Sequence, residues 1–391
     1  MRTKNRNRIA HISGNTIRQL IVSVFGMAIP FLVIHFSQKE IWGSFVSILL
    51  YTLFAVQVIN WGNKEYMLRL FSLLPNKIKK NYSRILYSRL PLVFLFTIGS
   101  LLLFPLSYTF YIFIWILGRY FNHSTEALVI YEKKFNASIL IETASFFVFL
   151  LPFYLLKDDF GIYSLLVNYS FYQFIRGTGY FLLFQKYLSA ENMKTDTSYF
   201  KQAFPFFVLS ILGFFTSKID VYIIDYFENR TIVANYQVLN SLLVFAMSVA
   251  AFIYAPFTKN IYRNNKTTVA KIQKQLSLLG LFLVPIGLLF IHLITVFYLK
   301  TQFSFWFYSI AFFYVYPSFV YGIKIVELFK NHREKTVIKI LLTGTLINTI
   351  ISTILVYLNY GMSGALFGSA IAQLVQLILT VKPSLLKFEK E

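Results

Sequence analysis

Gly161 to Gln173 reads GIYSLLVNYSFYQ, and 200 residues later Gly361 to Gln373 reads GMSGALFGSAIAQ. The two stretches align without a gap and share Gly, Leu and Gln positions. A second echo pairs Ile41-Trp42-Gly43-Ser44-Phe45 with Ile232-Val233-Ala234-Asn235-Tyr236 at an offset of 191. Small and apolar residues recur by chance in helices, so each match alone is weak; together they place one six-helix unit twice along the chain. Six is even, so each unit enters and leaves a membrane on the same side. That makes the units parallel repeats about an axis along the membrane normal.

The membrane follows from composition. Of 391 residues, 57% are hydrophobic, 19% aromatic and only 14% charged, with a mean hydropathy of +0.61. Soluble domains run nearer half apolar and a quarter charged, so this chain has too little polar surface to cover itself in water. With no cysteine, thiol catalysis, cysteine metal sites and disulfides are excluded.

Apolar runs bounded by charges and turns predict twelve spans, near 17–36, 42–61, 90–107, 108–131, 137–156, 161–185, 203–226, 232–257, 276–298, 303–329, 336–358 and 362–381. The third and fourth are separated only at Pro105-Leu106-Ser107. The fold class expected is an all-α integral membrane protein, with about twelve transmembrane helices in two six-helix bundles related by a pseudo-two-fold along the membrane normal. The first bundle covers 1–189, a polar linker 190–199 and the second bundle 200–391. The first apolar run lacks a small-residue cleavage site and reads as a retained helix.

The net charge of +21 first looks like that of a nucleic-acid binder. With the N-terminus inside, however, 29 of the 37 Lys and Arg residues fall in cytoplasmic segments, four fall in outer loops and four within spans. This positive-inside bias puts both termini in the cytoplasm and accounts for the charge without nucleic acid. The outer loops, such as Ser37 to Ile41 and Asn359-Tyr360, are too short to hold a catalytic domain. The longest cytoplasmic segment, Trp61 to Arg89, sets Met67, Leu68, Phe71 and Leu74 at helical spacing among basic residues. It reads either as an amphipathic helix on anionic lipid or as an ordinary basic loop.

Charges within spans are costly and mark candidate sites. In the fourth span Arg119, Asn122, His123 and Glu126 recur at i, i+3, i+4 and i+7, which puts them on one face. That face reads either as the wall of a wet cavity or as an internal hydrogen-bond ladder. Gln173 and Arg176 add a turn of the sixth span, where Gly177 and Gly179 permit close approach of another backbone; snorkelling of Arg176 to the interface is the rival. Lys218 and Asp220 stand in the seventh span, two apart and so on different faces. Lys324 and Glu327 read as a solvated ion pair, and His292 as a packed or interfacial histidine. Tyr51, Tyr172, Tyr236 and Tyr254 are candidates to stack on sugar rings, against a background of 44 Phe and 27 Tyr.

The order of these features resembles the multidrug/oligosaccharidyl-lipid/polysaccharide exporter superfamily, and within it the Wzx-type polysaccharide flippases. The residues that carry the resemblance are Gly43 and Trp61-Gly62 bounding the second span and Lys218-Ile219-Asp220 with Tyr226-Phe227 in the seventh. Val233 to Tyr236 opening the eighth and Gly361 to Gln373 in the twelfth complete it. The chain departs from the pattern in its minimal loops and in Lys218, where many relatives are apolar or small. The resemblance implies alternating-access movement of an undecaprenyl-pyrophosphate-linked oligosaccharide (O-antigen or similar repeat unit) to the outer leaflet of a bacterial inner membrane, for surface polysaccharide. It implies membrane lipids and polysaccharide polymerase machinery as partners, and no cofactor.

A cleft between two bundles, lined by basic groups, would attract such a pyrophosphate. Arg119 and Arg176 are the expected phosphate contacts, with Lys218, Asn122 and Gln173 beside them. Glu126, His123 and Asp220 are the expected proton or cation carriers, since no G-x-x-x-x-G-K-[ST] sequence occurs to bind ATP. Other readings are a cation-coupled multidrug exporter, a peptidoglycan-precursor exporter, and a membrane glycosyltransferase or polymerase using Asp158-Asp159. A cation exporter calls for cavity carboxylates and few basic groups, the reverse of this balance.

Overall fold

The computed structural model describes residues 2–156, 160–189, 194–254, 261 and 266–386. Asp158-Asp159 and the linker residues 190–193 lie outside them. No strand occurs among the described residues. The first helices are α1 (Arg2–Phe36), α2 (Lys39–Asn60), α3 (Asn63–Leu73), α4 (Ile78–Ser100), α5 (Leu106–Glu132), α6 (Phe135–Leu156) and α7 (Ile162–Leu183). They are followed by α8 (Thr197–Phe227), α9 (Arg230–Tyr254), α10 (Lys266–Phe297), α11 (Phe305–Val315), α12 (Pro317–Lys330), α13 (Glu334–Leu355) and α14 (Gly361–Val381). Every one of the twelve expected spans has a helical counterpart. This is what a bilayer demands, since helices satisfy their own backbone polar groups.

Among the described residues, eight helical stretches are long and apolar enough to cross a membrane, Glu334–Val381 holding two helices. Helices α4, α5 and α7 reach comparable length but carry the buried polar groups described below. The protein is a multi-pass membrane protein.

Three expected boundaries shift, each for a local reason. The tenth span is two helices broken at Tyr316-Pro317, with Pro317 opening α12 where its missing N–H costs nothing. The third span begins at Ile78 and ends at Ser100, and α5 restarts after Pro105. The eleventh loosens into a π turn at Val356–Tyr360, where Asn359 takes φ 65°.

Contacts divide the chain into two compact units, Met1–Ile211 and Leu212–Glu391, the division falling inside α8. In the first unit α5 and α7 pack backbone to backbone. A Cβ on Gly177 would strike the Gly118 carbonyl, and one on Gly118 the Gln173 carbonyl. Such small-residue seams let membrane helices gain dispersion contact that lipid cannot supply. Gly179 does something else: it faces the Ile141 side chain.

At the end of α2, Trp61 and Gly62 both adopt left-handed φ, 47° and 63°. A Cβ on Gly62 would sit 2.6 Å from the Phe206 backbone, so glycine lets the start of α8 cross here. The Trp61 indole stacks on Phe207 at 4.0 Å and donates to the Phe200 carbonyl at 3.0 Å. Ser83 and Ser88 of α4 accept from the backbone N–H of Ser189 and Asp196.

The amphipathic helix expected in Trp61 to Arg89 is α3, and its apolar face meets protein. Met67 and Phe71 are fully buried, Phe71 edge-on to Tyr131 of α5, while Leu74 stays exposed. In the second unit α14 packs along α13 and along α11 and α12. Gly368 admits the Ser352 side chain and backbone.

Candidate functional site

Each unit buries a polar cluster that includes a residue of the repeated sequence, Gln173 in the first and Ser369 in the second. In the first unit Arg176 of α7 and Glu142 of α6 form a bidentate pair, Nε to Oε2 at 2.7 Å and Nη2 to Oε1 at 2.8 Å. Tyr180 donates to the same carboxylate at 2.8 Å, and Arg176 Nη1 lies 3.5 Å from Gln173 Oε1. Glu142 is 1% exposed and Arg176 6%. Arg176 therefore neither snorkels to an interface nor stands as an open cation; its charge is neutralised inside the helix bundle.

Arg119 of α5 is the contrast. It is only half-buried and makes no hydrogen bond or ion pair among the described residues, although it lies within electrostatic reach of Arg176, Tyr169, Tyr172 and Glu142. Tyr169 is fixed by packing on Trp115 at 4.4 Å and edge-on to Phe45 at 5.4 Å. The alternative reading of this face, an Arg119 to His123 to Glu126 hydrogen-bond ladder, is incomplete. Glu126 binds Lys64 of α3 at 2.7 Å, and His123 Nδ1 stands 3.7 Å from Glu126. Asn122, on the same face, is buried.

In the second unit Asp220 of α8 is 1% exposed and fully supplied with donors. Its Oδ2 accepts from Tyr236 at 2.7 Å, Ser369 at 3.0 Å and Asn240 at 3.2 Å, and its Oδ1 from the Val221 N–H at 2.9 Å. Lys218 donates to Asn240 Oδ1 at 2.8 Å. The two charges, on different faces as their spacing requires, are thus joined through one asparagine of α9. Ser369 also reaches Asn348 at 3.2 Å, which links α13 into the cluster.

Among the remaining sequence candidates, Tyr236 is consumed by Asp220 and Tyr172 is buried. Tyr51 donates to the Phe96 carbonyl at 2.5 Å, and Tyr254 packs beneath Gly322. Lys324 and Glu327 form the expected ion pair at 3.3 Å, and His292 contacts Tyr308 at 3.1 Å.

Sequence reasoning missed three charged groups. Glu142 stands six residues inside the fifth span and was legible as an ionisable group in an apolar run. The sequence reading places Arg89 in the cytoplasmic basic segment because the apolar run opens at residue 90, whereas the helix begins twelve residues earlier, at Ile78. Arg89 is 1% exposed, donates to Ser124 at 2.8 Å and approaches the Ile59 and Asn60 carbonyls at 3.5 Å, where it compensates the end of α2. Arg18, assigned to the same side, is also buried.

No family model and no curated protein sequence matches this chain. Solved structures do. An inward-facing multidrug resistance MATE family transporter of the MOP superfamily superposes with a TM-score of 0.68 at 12% identity, covering 95% of this chain and 96% of that one. The lipid II flippase MurJ, in an inward closed conformation, gives 0.69 at 15% identity over 94% and 86%. The MATE multidrug transporter DinF-BH in complex with R6G gives 0.65 at 14% identity over 97% and 95%. At these identities the likeness is one of fold, and it runs almost end to end. The fold is the one these membrane transporters share.

Proposed function

We propose that this chain is a transporter of the MOP superfamily. In this reading it is a flippase that carries a lipid-linked oligosaccharide, on undecaprenyl pyrophosphate, from the cytoplasmic to the outer leaflet by alternating access, for surface polysaccharide assembly in a bacterial inner membrane. The observation that carries it is Arg119, a guanidinium inside the first unit that makes no hydrogen bond or ion pair among the described residues, the nearby Glu142 carboxylate being taken by Arg176. A cation embedded in a helix bundle costs about 2.5–3.5 kcal/mol even on insertion scales, and it is kept where something anionic visits it. Arginine suits phosphate because its planar fork binds two oxygens at once.

Arg176 is in this reading the group that holds Glu142 and shapes the wall around Arg119. Gln173, Asn122 and Lys218 remain substrate-side proposals. Glu126 with His123, and Asp220 with its donors, remain the proposed carriers of a coupling proton or cation.

The likeness to the MurJ structure favours a second reading, export of a peptidoglycan precursor. A cation-drug exporter is disfavoured, because each of Glu126, Glu142 and Asp220 already has a cation or several donors.

The test is Arg119→Gln in proteoliposomes loaded with a fluorescent undecaprenyl-pyrophosphate oligosaccharide, with a lipid-linked peptidoglycan precursor in parallel. Loss of a charged hydrogen bond of about 1.5–3 kcal/mol predicts a fall in transport of about tenfold or more at unchanged folded yield. Wild-type transport by the variant sinks the proposal, and transport of the precursor alone replaces it with the second reading.

A further inference from the structure

Two ion pairs of the first unit differ in how open they are. Arg176 and Glu142 are sealed, their side chains 7% and 1% exposed, whereas Lys64 of α3 and Glu126 of α5 meet at 2.7 Å with side chains 29% and 22% exposed. The open pair stands among bases that bind nothing else. Arg18 of α1 is 6% exposed and makes no hydrogen bond or ion pair among the described residues, its Nε buried without a partner, and neither ring nitrogen of His123 has a hydrogen-bond partner. Arg18, Lys64 and His123 all lie within electrostatic reach of Glu126. The exposed Glu65 beside Lys64 and the half-buried Arg119 one turn before His123 complete the set. The permanent cations Arg18, Lys64 and Arg119 still outnumber the carboxylates Glu65 and Glu126.

Local structure holds Lys64 in place and leaves its partner exchangeable. Asn63 Nδ2 donates to the His123 carbonyl at 3.2 Å, and Met67 and Phe71 are buried, so α3 is fastened to α5 on both sides of Lys64. Glu126 stands seven residues beyond Arg119, about 10 Å along α5, with His123 between them on the same face. An ion pair that water reaches is weak, because solvent screens it and two long side chains must be held still to keep it. Pyrophosphate competes well against such a carboxylate. It brings two charges instead of one and more acceptor oxygens for the same donors.

We propose that Lys64 and His123 form an entry site for a phosphoryl group, with the charge of Arg18 behind them, and that Glu126 yields Lys64 to the arriving phosphoryl oxygens. No covalent bond changes. Lys64 trades one oxygen anion for another, and the released carboxylate meets His123, whose Nδ1 is already 3.7 Å away. Glu126 is thus a substitute anion built into the chain, displaced at little cost, and Arg119 is the next cation along the same face. The site deepens the reading of Arg119 and rests on it only for which molecule bears the phosphoryl group.

The experiment measures affinity in the full chain, held in nanodiscs of neutral phosphatidylcholine. Inorganic pyrophosphate is titrated into the Arg119→Gln protein, where Arg119 adds no binding, and the fluorescent undecaprenyl-pyrophosphate oligosaccharide into the protein with Arg119 intact. Glu126→Gln removes the competing carboxylate and is expected to tighten pyrophosphate about fivefold, where a merely structural salt bridge gives no gain. Lys64→Gln is expected to weaken it about tenfold, and Lys64→Arg to restore it. If Glu126→Gln lowers the folded yield, Glu126→Asp, one methylene too short for Lys64, is expected to tighten binding in the same direction. Shifts with both ligands assign the site to a lipid-linked headgroup, and shifts with inorganic pyrophosphate alone assign it to a free phosphate compound. Unchanged affinity in Glu126→Gln or in Lys64→Gln overturns it. Normal transport by Arg119→Gln would remove the substrate assignment and leave these shifts standing, while absent shifts beside failed transport would remove the entry site alone.

Discussion

The two units carry the same repeated segment and spend it differently. Gln173 and Gln373 occupy equivalent places and are both buried, yet Gln173 lies against Arg176 while Gln373 accepts from Tyr321 at 2.7 Å. Three residues before Gln173 in the aligned segment plus one more lie Tyr169 and its counterpart Ser369. Tyr169 is an aromatic platform within reach of Arg119, whereas Ser369 is a donor to Asp220. The second unit closes its charges on themselves through Asn240, Tyr236 and Ser369. The first balances Arg176 with Glu142 and leaves Arg119 over. One polar position on a shared scaffold serves as a lock in one unit and as an open hand in the other.

The contrast breaks first, and hardest, at the buried pair. Glu142→Ala strands Arg176 and should destabilise the protein by about 3–5 kcal/mol, read as a fall in detergent melting temperature. Glu142→Leu with Arg176→Met should recover most of that loss; failure to recover would mean that the pair does more than cancel charge. In the second unit Asp220→Ala leaves the Tyr236, Ser369 and Asn240 donors without their acceptor and should cost about 1–3 kcal/mol by the same measurement. Tyr236→Phe, which removes one of several donors, should cost about 1 kcal/mol. Arg119→Gln should leave stability within about 0.5 kcal/mol while transport falls, because nothing in the folded chain relies on it. Last comes Lys324→Ala, which breaks a half-exposed i,i+3 pair and should move the melt by no more than about 0.5 kcal/mol. A larger loss in Arg119→Gln than in Glu142→Ala would invert the comparison.

The span pattern was legible because a bilayer imposes it: long apolar runs, short turns and basic segments on one side each leave a mark that needs no tertiary knowledge. The repeat was legible for the same reason, at Gly161 and Gly361. Partner choice was not. Spacing put Lys218 and Asp220 on different faces but could not name Asn240, twenty residues on, as the residue that joins them. Arg176 and Glu142 sit on different helices, and only packing brings them within 2.7 Å. Arg89 escapes the reading because the basic and polar residues from Lys79 to Arg84 mask the start of α4 at Ile78. The break at Pro317 has a local mark in the sequence, because a proline inside an apolar run interrupts the hydrogen-bond ladder.

The crossing at Gly62 has a consequence for synthesis. Tyr199, Phe200, Gln202 and Phe206 all touch the end of α2 or the start of α3, and every one of them is translated after α7. A nascent chain halted at Asp196 already holds α1 to α7, yet Trp61 has no Phe207 ring to stack on and its indole no Phe200 carbonyl to meet. The ribosome must therefore deliver the opening turns of α8 before the first unit can finish folding, so that unit matures only after a helix it shares with the second has begun to emerge.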